Sequence, residues 1–388
     1  MSLVLSIILI AVTTAVACSI VGVFLVLRRM SMVAEGVSHS ILPGLVIALV
    51  LGAALRTPVA VLGPALLGLF LVLSVEALNR TRLFAGDAPL GVVFPALFSV
   101  GVIIISRRYA SVPLSESSVL TGDINYAALS QLQMGAAEIG PRSLYVMLLI
   151  LLLNLGFVVA LFKELKVTTF DPGLAAAVGI RPSLVHYPFM AIVSITIVGA
   201  FEAVGAVLVI ALLTAPAAAA YLLSRRLETM LLLSAGFAAF SAVSGFWIAY
   251  ALDSATSGMT AAMAGVVFVL ALAFAPRRGL LAKARIRKRR GLAFAERLLV
   301  MHLIHHADGD RATPACTPEG VMRHINWDPA LTGRVIHRAV ANGLVREHHG
   351  VLLPSPQGRE LCREAMLWGE DVCECGDDSE TEVNDINE

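Results

Sequence analysis

MVAEGVSHSILPG, from Met32 to Gly44, opens a long apolar segment yet carries a carboxylate, Glu35, and an imidazole, His39. On a helix, positions four apart share a face, with Cβ atoms roughly 5–6 Å apart, so both groups point the same way. Ionisable side chains inside a membrane span are costly and usually face a pathway or a partner. Pro43 and Gly44 follow directly and predict a kink or break. Mn²⁺, Fe²⁺ and Zn²⁺ all accept carboxylate together with imidazole. The stretch reads as part of a metal-ion path through a membrane.

The rest of the chain supports that setting. Its 388 residues are 57% hydrophobic and 15% charged, with mean hydropathy +0.82. These are values for an integral membrane protein rather than a soluble enzyme. Charge then divides the sequence. Residues 277–290, RRGLLAKARIRKRR, hold eight Lys/Arg and no acid, whereas residues 370–388 hold nine Asp/Glu and no base. The expected organisation is a transmembrane domain over 1–276, a basic juxtamembrane linker over 277–290 attracted to anionic headgroups, a folded module over 291–369 and an acidic disordered tail over 370–388.

Membrane spans of about 20 apolar residues are expected near 4–27, 33–55, 58–79, 88–106, 142–162, 186–201, 203–223, 229–250 and 258–275. The sixth is short and the Phe201–Gly205 link is tight, which suggests a broken or re-entrant helix and leaves eight or nine spans. No basic residue precedes the first run at Leu3, while Arg28 and Arg29 follow it. That is the reverse of a signal peptide, so the N-terminus is expected outside. Arg80–Arg82, Lys163–Lys166 and Arg225–Arg226 then fall in inner loops, as positive-inside bias requires. Nine spans put residues 277–388 in the cytoplasm. Cys18, Cys316, Cys362, Cys373 and Cys375 are scattered, and no disulfide framework is expected.

The loop after the fifth span predicts a short helix. Asp171 suits the N-cap, Pro172 the first helical position, and Gly179 the C-terminal closure. Glu202 lies between two apolar runs in FEAVG. It either joins the path or caps the next helix through the helix dipole. His186 begins a span, and Glu76 is expected at the inner face beside Arg80. No GxxxxGK[ST] phosphate loop and no catalytic spacing is present, so the chain is expected to be no enzyme and to draw its energy from a separate subunit.

Four ordered strings resemble the permease subunits of bacterial ABC importers for manganese, zinc or iron, the ABC-3 family. They are AEGVSHSILPG at 34–44, GDI at 122–124, FDPGLAAAVGI at 170–180 and FEAVGAVLVIALLTAPAAAAYLL at 201–223, within a match over about 3–280. The resemblance implies a bacterial inner-membrane permease paired with a second copy or a homologous permease. It further implies a cytoplasmic ABC ATPase and an external metal-binding lipoprotein. No cofactor is expected to stay bound; the metal is cargo. Glu35, His39 and Glu202 would line or gate the path. Phe170, Asp171, Pro172, Gly179, Ile180 and Arg181 would belong to the coupling helix that receives the ATPase stroke. Family members commonly carry Asp where this chain has Glu35, a longer carboxylate.

Beyond residue 290, GLAFAERLLVMHLIHHA has helical apolar spacing. Thr317-Pro318 and Asp328-Pro329 start two more helices, and GLVREHHGVLLPSPQGRE alternates as a hairpin turning at His349-Gly350. Three helices and a β-wing make a winged helix-turn-helix. ANGLVREHHGVLLPSPQGREL, 341–361, resembles the DNA-binding module of iron- or manganese-dependent repressors. Arg334, His337 and Arg338 would lie on one side of the reading helix, with Arg323 and Arg346 flanking it. His302 and His306, spaced i, i+4 beside His305, and Cys373-Glu374-Cys375 are further candidate metal ligands.

The expected fold class is therefore an all-α polytopic membrane protein with a cytoplasmic C-terminal winged helix. The expected function is the permease of an ATP-driven Mn²⁺, Fe²⁺ or Zn²⁺ importer. The alternatives are a membrane-tethered metal-responsive regulator and an ATPase-independent transporter.

Overall fold

The computed structural model describes residues 3–50, 58–81, 83, 88–108, 124–134, 137–276, 279–306, 314–348 and 350–363. Arg56, Gly122-Asp123, His349 and the segment containing Cys373-Glu374-Cys375 lie outside these residues. The chain divides into two compact units, Met1–Leu281 and Ala282–Glu388.

In the first unit, α1 (Leu3–Leu27), α2 (Ser31–Val50), α3 (Pro58–Arg80) and α4 (Ala88–Arg108) are followed by the short α5 (Ile124–Leu129). A hairpin of β1 (Gln131–Met134) and β2 (Ala137–Pro141) comes next. Then come α6 (Arg142–Ala160), α7 (Phe162–Phe170), α8 (Pro172–Ala177), α9 (Pro182–Val204), α10 (Ala206–Leu223), α11 (Leu227–Leu252) and α12 (Thr256–Phe274). Eight described helices (α1, α2, α4, α6, α9, α10, α11 and α12) are long and apolar enough to cross a membrane, while the apolar stretch of α3, Gly63–Asn79, is shorter. The chain is a multi-pass membrane protein.

Three details differ from the expectation. The short sixth span is instead α9, 23 residues long, about 34 Å at 1.5 Å per residue. It is not broken internally. Gly205, at φ +85°, separates it from α10, a backbone conformation glycine adopts without penalty. Pro43 does not end α2, which continues to Val50. The antiparallel β1–β2 hairpin was not foreseen: Gln131-Leu132-Gln133-Met134 does alternate polar and apolar, but the two strands are only four and five residues long.

The helix α1 is central. Its side chains are buried along most of its length, and it packs against α6, α9, α10 and α11. A Cβ at Gly22 would overlap the Leu213 carbonyl of α10, so the two backbones approach as closely as small residues allow. A second group joins α2 with α3 and α4, and α9 touches both groups. Asn154 of α6, fully buried, donates to the Ala17 carbonyl of α1 (3.1 Å) and accepts from Thr196 of α9 (3.0 Å). Without water to compete, such bonds hold helices together.

In the second unit, α13 (Leu280–His306), a 3₁₀ turn (Pro314–Cys316), α14 (Pro318–Ile325) and α15 (Pro329–Ala341) precede β3 (Val345–His348) and β4 (Val351–Pro354). A last helix, α16, covers 356–363. Thr317 caps α14 by accepting from the Gly320 amide (3.1 Å), with Pro318 in the first turn. Asp328 occupies the N-cap position of α15 but makes no side-chain cap bond. The strands pair antiparallel from Val345 opposite Pro354 to His348 opposite Val351, with Gly350 at φ +77° in the connection. Leu299, Leu303, Val321, Val335, Ala339, Val345 and Leu352 form the core.

Candidate functional site

Glu35 and His39 stand one turn apart on α2, both half-buried. The His39 ring stacks on Phe94 of α4, with centroids 5.4 Å apart and planes at 22°. The following Pro43-Gly44 pair lets neighbouring helices come close. A Cβ at Gly44 would lie 2.5 Å from Pro64 Cα of α3, and one at Gly101 of α4 would lie 2.6 Å from Pro43 Cβ. The carboxylate–imidazole pair is thus held on a helix clamped between two others.

Glu202 does not join that pair. It is exposed, three residues before Gly205 near the end of α9. Both α2 and α9 start at the face where Arg28 meets His186. A Cβ at Gly68 of α3 would touch both Val37 of α2 and Ser194 of α9, so these lie level, and helix rise puts Glu202 about 10 Å further along the helices than His39. Glu35, His39 and Glu202 do not form a three-ligand group among the described residues.

At the shared face the structure builds a polar network that sequence reasoning missed. The Arg28 guanidinium donates to Thr168 Oγ1 (3.2 Å) and Thr169 Oγ1 (3.1 Å), at the end of α7. It also lies 3.4 Å from His186 Nδ1 and 4.8 Å from the Phe189 ring centroid, both on α9. Burial lowers the Arg28 pKa to about 10, so the group stays charged at neutral pH. The other imidazole nitrogen of His186 lies 3.6 Å from the Glu76 carboxylate of α3, which also accepts from the Tyr187 hydroxyl (3.3 Å). Lys166 of α7 pairs with Glu228 at the start of α11 (3.1 Å). The ends of α1, α3 and α7 and the starts of α9 and α11 therefore share one face, as the loop charges predicted. A cleft of about 440 Å³ opens there, with Arg28, Glu76, Thr169, Pro172 and His186 in its wall. Arg28 carried only a topological meaning in the sequence, because its four partners are 140 or more residues away.

The helix α8 hangs from this network. Asp171 Oδ1 accepts from the Leu174 amide (2.9 Å) and Pro172 occupies the first turn. Gly179, at φ +91°, closes the other end. There the Ile180 amide reaches the Ala175 carbonyl (2.9 Å) and the Gly179 amide the Ala176 carbonyl (3.1 Å), the paired bonds of a Schellman closure. Ala175 faces inward, while Phe170, Leu174 and Val178 are 59%, 53% and 69% exposed. Arg181 is exposed as well. This capped turn carries an outward apolar ridge and follows Thr168 and Thr169, which Arg28 ties to the end of α1.

In the second unit, Arg323, Arg334, His337 and Arg346 are exposed. Arg338 is not available in the same way. It pairs with Glu296 of α13, whose side chain is 7% exposed, and Asn342 donates to the same carboxylate (3.4 Å). Turning Arg338 outward would strand a buried charge.

Comparison with known proteins places these features. A sequence model of the ABC 3 transport family matches residues 1–275. The zinc transport system membrane protein TroD of Treponema pallidum is 38% identical over 362 residues, covering 93% of this chain and 98% of that protein. This match is longer than the first unit and so reaches into the second. The manganese transport system membrane protein MntD of Bacillus subtilis is 39% identical over 272 residues, 70% of this chain and 92% of that one. Among solved structures, PsaBC from Streptococcus pneumoniae in complex with Fab superposes with TM-score 0.60 at 25% identity, covering 72% of this chain and 94% of that one.

Proposed function

The chain belongs to the ABC 3 transport family, and from that premise we propose that it is the permease subunit of an ATP-driven importer of Mn²⁺, Zn²⁺ or Fe²⁺. Relatives named for zinc and manganese transport support the cargo class. The observation that carries the ATP-driven part is α8, capped at both ends, with Phe170 before it, Leu174 within it and Val178 after it all exposed. A separate ATPase subunit presses on this ridge, and Arg28 carries the motion to α1 and α9. Glu35 and His39 coordinate the ion transiently, and Glu202 serves the far end of the path. An external binding protein delivers the ion, a second permease completes the pore, and the assembly sits in the bacterial inner membrane. With α3 crossing, the chain threads the membrane nine times and residues 282–388 lie in the cytoplasm.

The test is ATP-dependent uptake of radiolabelled Mn²⁺, Fe²⁺ and Zn²⁺ into proteoliposomes holding this protein, its ATPase and the external binding protein. Glu35→Ala/His39→Ala is expected to abolish uptake with ATPase assembly intact. Asp171→Ala is expected to uncouple ATP hydrolysis from uptake. Full uptake by the double variant would move the path elsewhere, and uptake without any ATPase would make the protein a secondary transporter.

We further propose that the second unit is a winged helix that contacts nucleic acid through Arg323, Arg334, His337 and Arg346. The α13–α15 order, the β3–β4 hairpin and the exposed basic groups support this. Arg338 serves the fold instead. Phosphate contacts make binding fall steeply with salt; full-length protein showing no salt-dependent shift of duplex DNA would refute it.

A further inference from the structure

Three imidazoles meet in the second unit. His302 and His306 lie one turn apart near the end of α13, and His324 approaches them from the last turn of α14. Ring centroids are 4.5 Å apart for His302–His306, 5.5 Å for His302–His324 and 5.3 Å for His306–His324. One ligand nitrogen from each ring lies within 4.8 Å of the other two. Only the i, i+4 pair was visible in the sequence, since His324 is brought in by the packing of α14 on α13.

We infer that His302, His306 and His324 form a binding site for a borderline divalent cation of the Zn²⁺ or Co²⁺ type, separate from the membrane path. Three observations support it. Three neutral imidazoles suit such ions, which take three protein nitrogens and a water in a tetrahedral set. Tetrahedral Zn–N bonds of about 2.0–2.1 Å need nitrogens roughly 3.3 Å apart, so ring rotations and shifts of about 1 Å convert the observed cluster into a site. His302 Nε2 lies 3.2 Å from the Ala315 carbonyl; a carbonyl only accepts, so Nε2 carries the proton and Nδ1 keeps the lone pair. Such a backbone bond is the usual means of orienting a metal-bound imidazole. His324 is exposed, which leaves the fourth position open to water. A bound ion would pin the end of α13 to α14.

The experiment is titration of the purified full-length protein, without ATPase, with Zn²⁺ by calorimetry and with Co²⁺ by visible absorption. The Glu35→Ala/His39→Ala background removes the ion path from the count, so the outcome does not depend on the transport reading. The parent is expected to bind one Zn²⁺ that displaces a tetrahedral Co²⁺ spectrum. His324→Gln, a change at an exposed position, is expected to lose the spectrum and weaken Zn²⁺ binding at least about 100-fold. His306→Gln is expected to do the same. His305→Gln, beside the cluster but outside it, is expected to change neither. Retention of the spectrum and affinity in His324→Gln and His306→Gln, or equal loss in His305→Gln, would overturn the site.

Discussion

In residues 3–276, Leu149, Val159 and Trp247 point outward, while Gly22, Gly44 and Asn154 sit at the helix contacts. In residues 282–363 the arrangement reverses: Leu299, Val321, Val335 and Leu352 are inside, and Arg323, Arg334 and His337 are outside. The difference follows from the solvent. Lipid tails are as apolar as leucine, so burying leucine gains little in the first unit, and close backbone contact and interhelical hydrogen bonds hold it together. In water, burying leucine contributes roughly 1.5–3 kcal/mol per side chain, and the second unit is organised around that.

Substitutions can break this contrast. Gly44→Val should be the most damaging, because its side chain meets Pro64 backbone at 2.5 Å. Overpacking against backbone is expected to cost about 3 kcal/mol or more and to abolish monodisperse protein in detergent. Gly156→Val, with nothing within 4 Å, should be silent; if the two behave alike, close approach is not what holds the first unit.

Leu299→Ala is expected to destabilise the second unit by about 2–5 kcal/mol through a cavity. Hydrogen exchange should rise across 299–362 and stay unchanged in α1. A response confined to the membrane helices would contradict two separately organised units.

Arg338→Ala leaves Glu296 buried with Asn342 alone. Because Arg338 is 39% exposed, the expected loss is about 2 kcal/mol, below the 3–5 kcal/mol of a fully buried pair. Adding Glu296→Gln should recover part of it in a double-mutant cycle. No recovery would mean that Arg338 acts through something other than that carboxylate.

Asn154→Leu should be mildest, about 0.6 kcal/mol and at most about 1.7, the average and the upper end for a hydrogen bond between membrane helices. Thermal unfolding in detergent should show it, and Thr196→Val should add little on top. A strictly additive pair would sharpen the comparison by showing that the two side chains hold α6 to α1 and α9 independently.

How far the sequence reached depended on whether a feature was local. Asp171, Pro172 and Gly179 announced both ends of α8, because capping acts within one turn. Thr317-Pro318 did the same for α14, whereas Asp328 did not cap α15 with its side chain. For α9, apolar length alone fell short, since its first turns are Pro182, Ser183, His186 and Tyr187, polar by composition yet helical. The hairpin at 131–141 alternates polar and apolar, but over strands of only four and five residues. Arg338 looked like one more exposed base at i+4 from Arg334, and only the approach of Glu296, 42 positions earlier, shows its real partner.

The chain alone determined that it spans a membrane, that Glu35 and His39 share a helix face, and where short helices begin and end. Those properties depend on composition and on neighbours within about four residues. The tertiary structure decided the rest. It gathered Arg28, Glu76, Thr168 and His186 at one face, clamped Pro43-Gly44 between α3 and α4, kept Glu202 away from His39, and brought His324 to His302 and His306. Each of these joins side chains through the packing of separate helices, and no spacing along the sequence encodes a distance set by which helix faces meet.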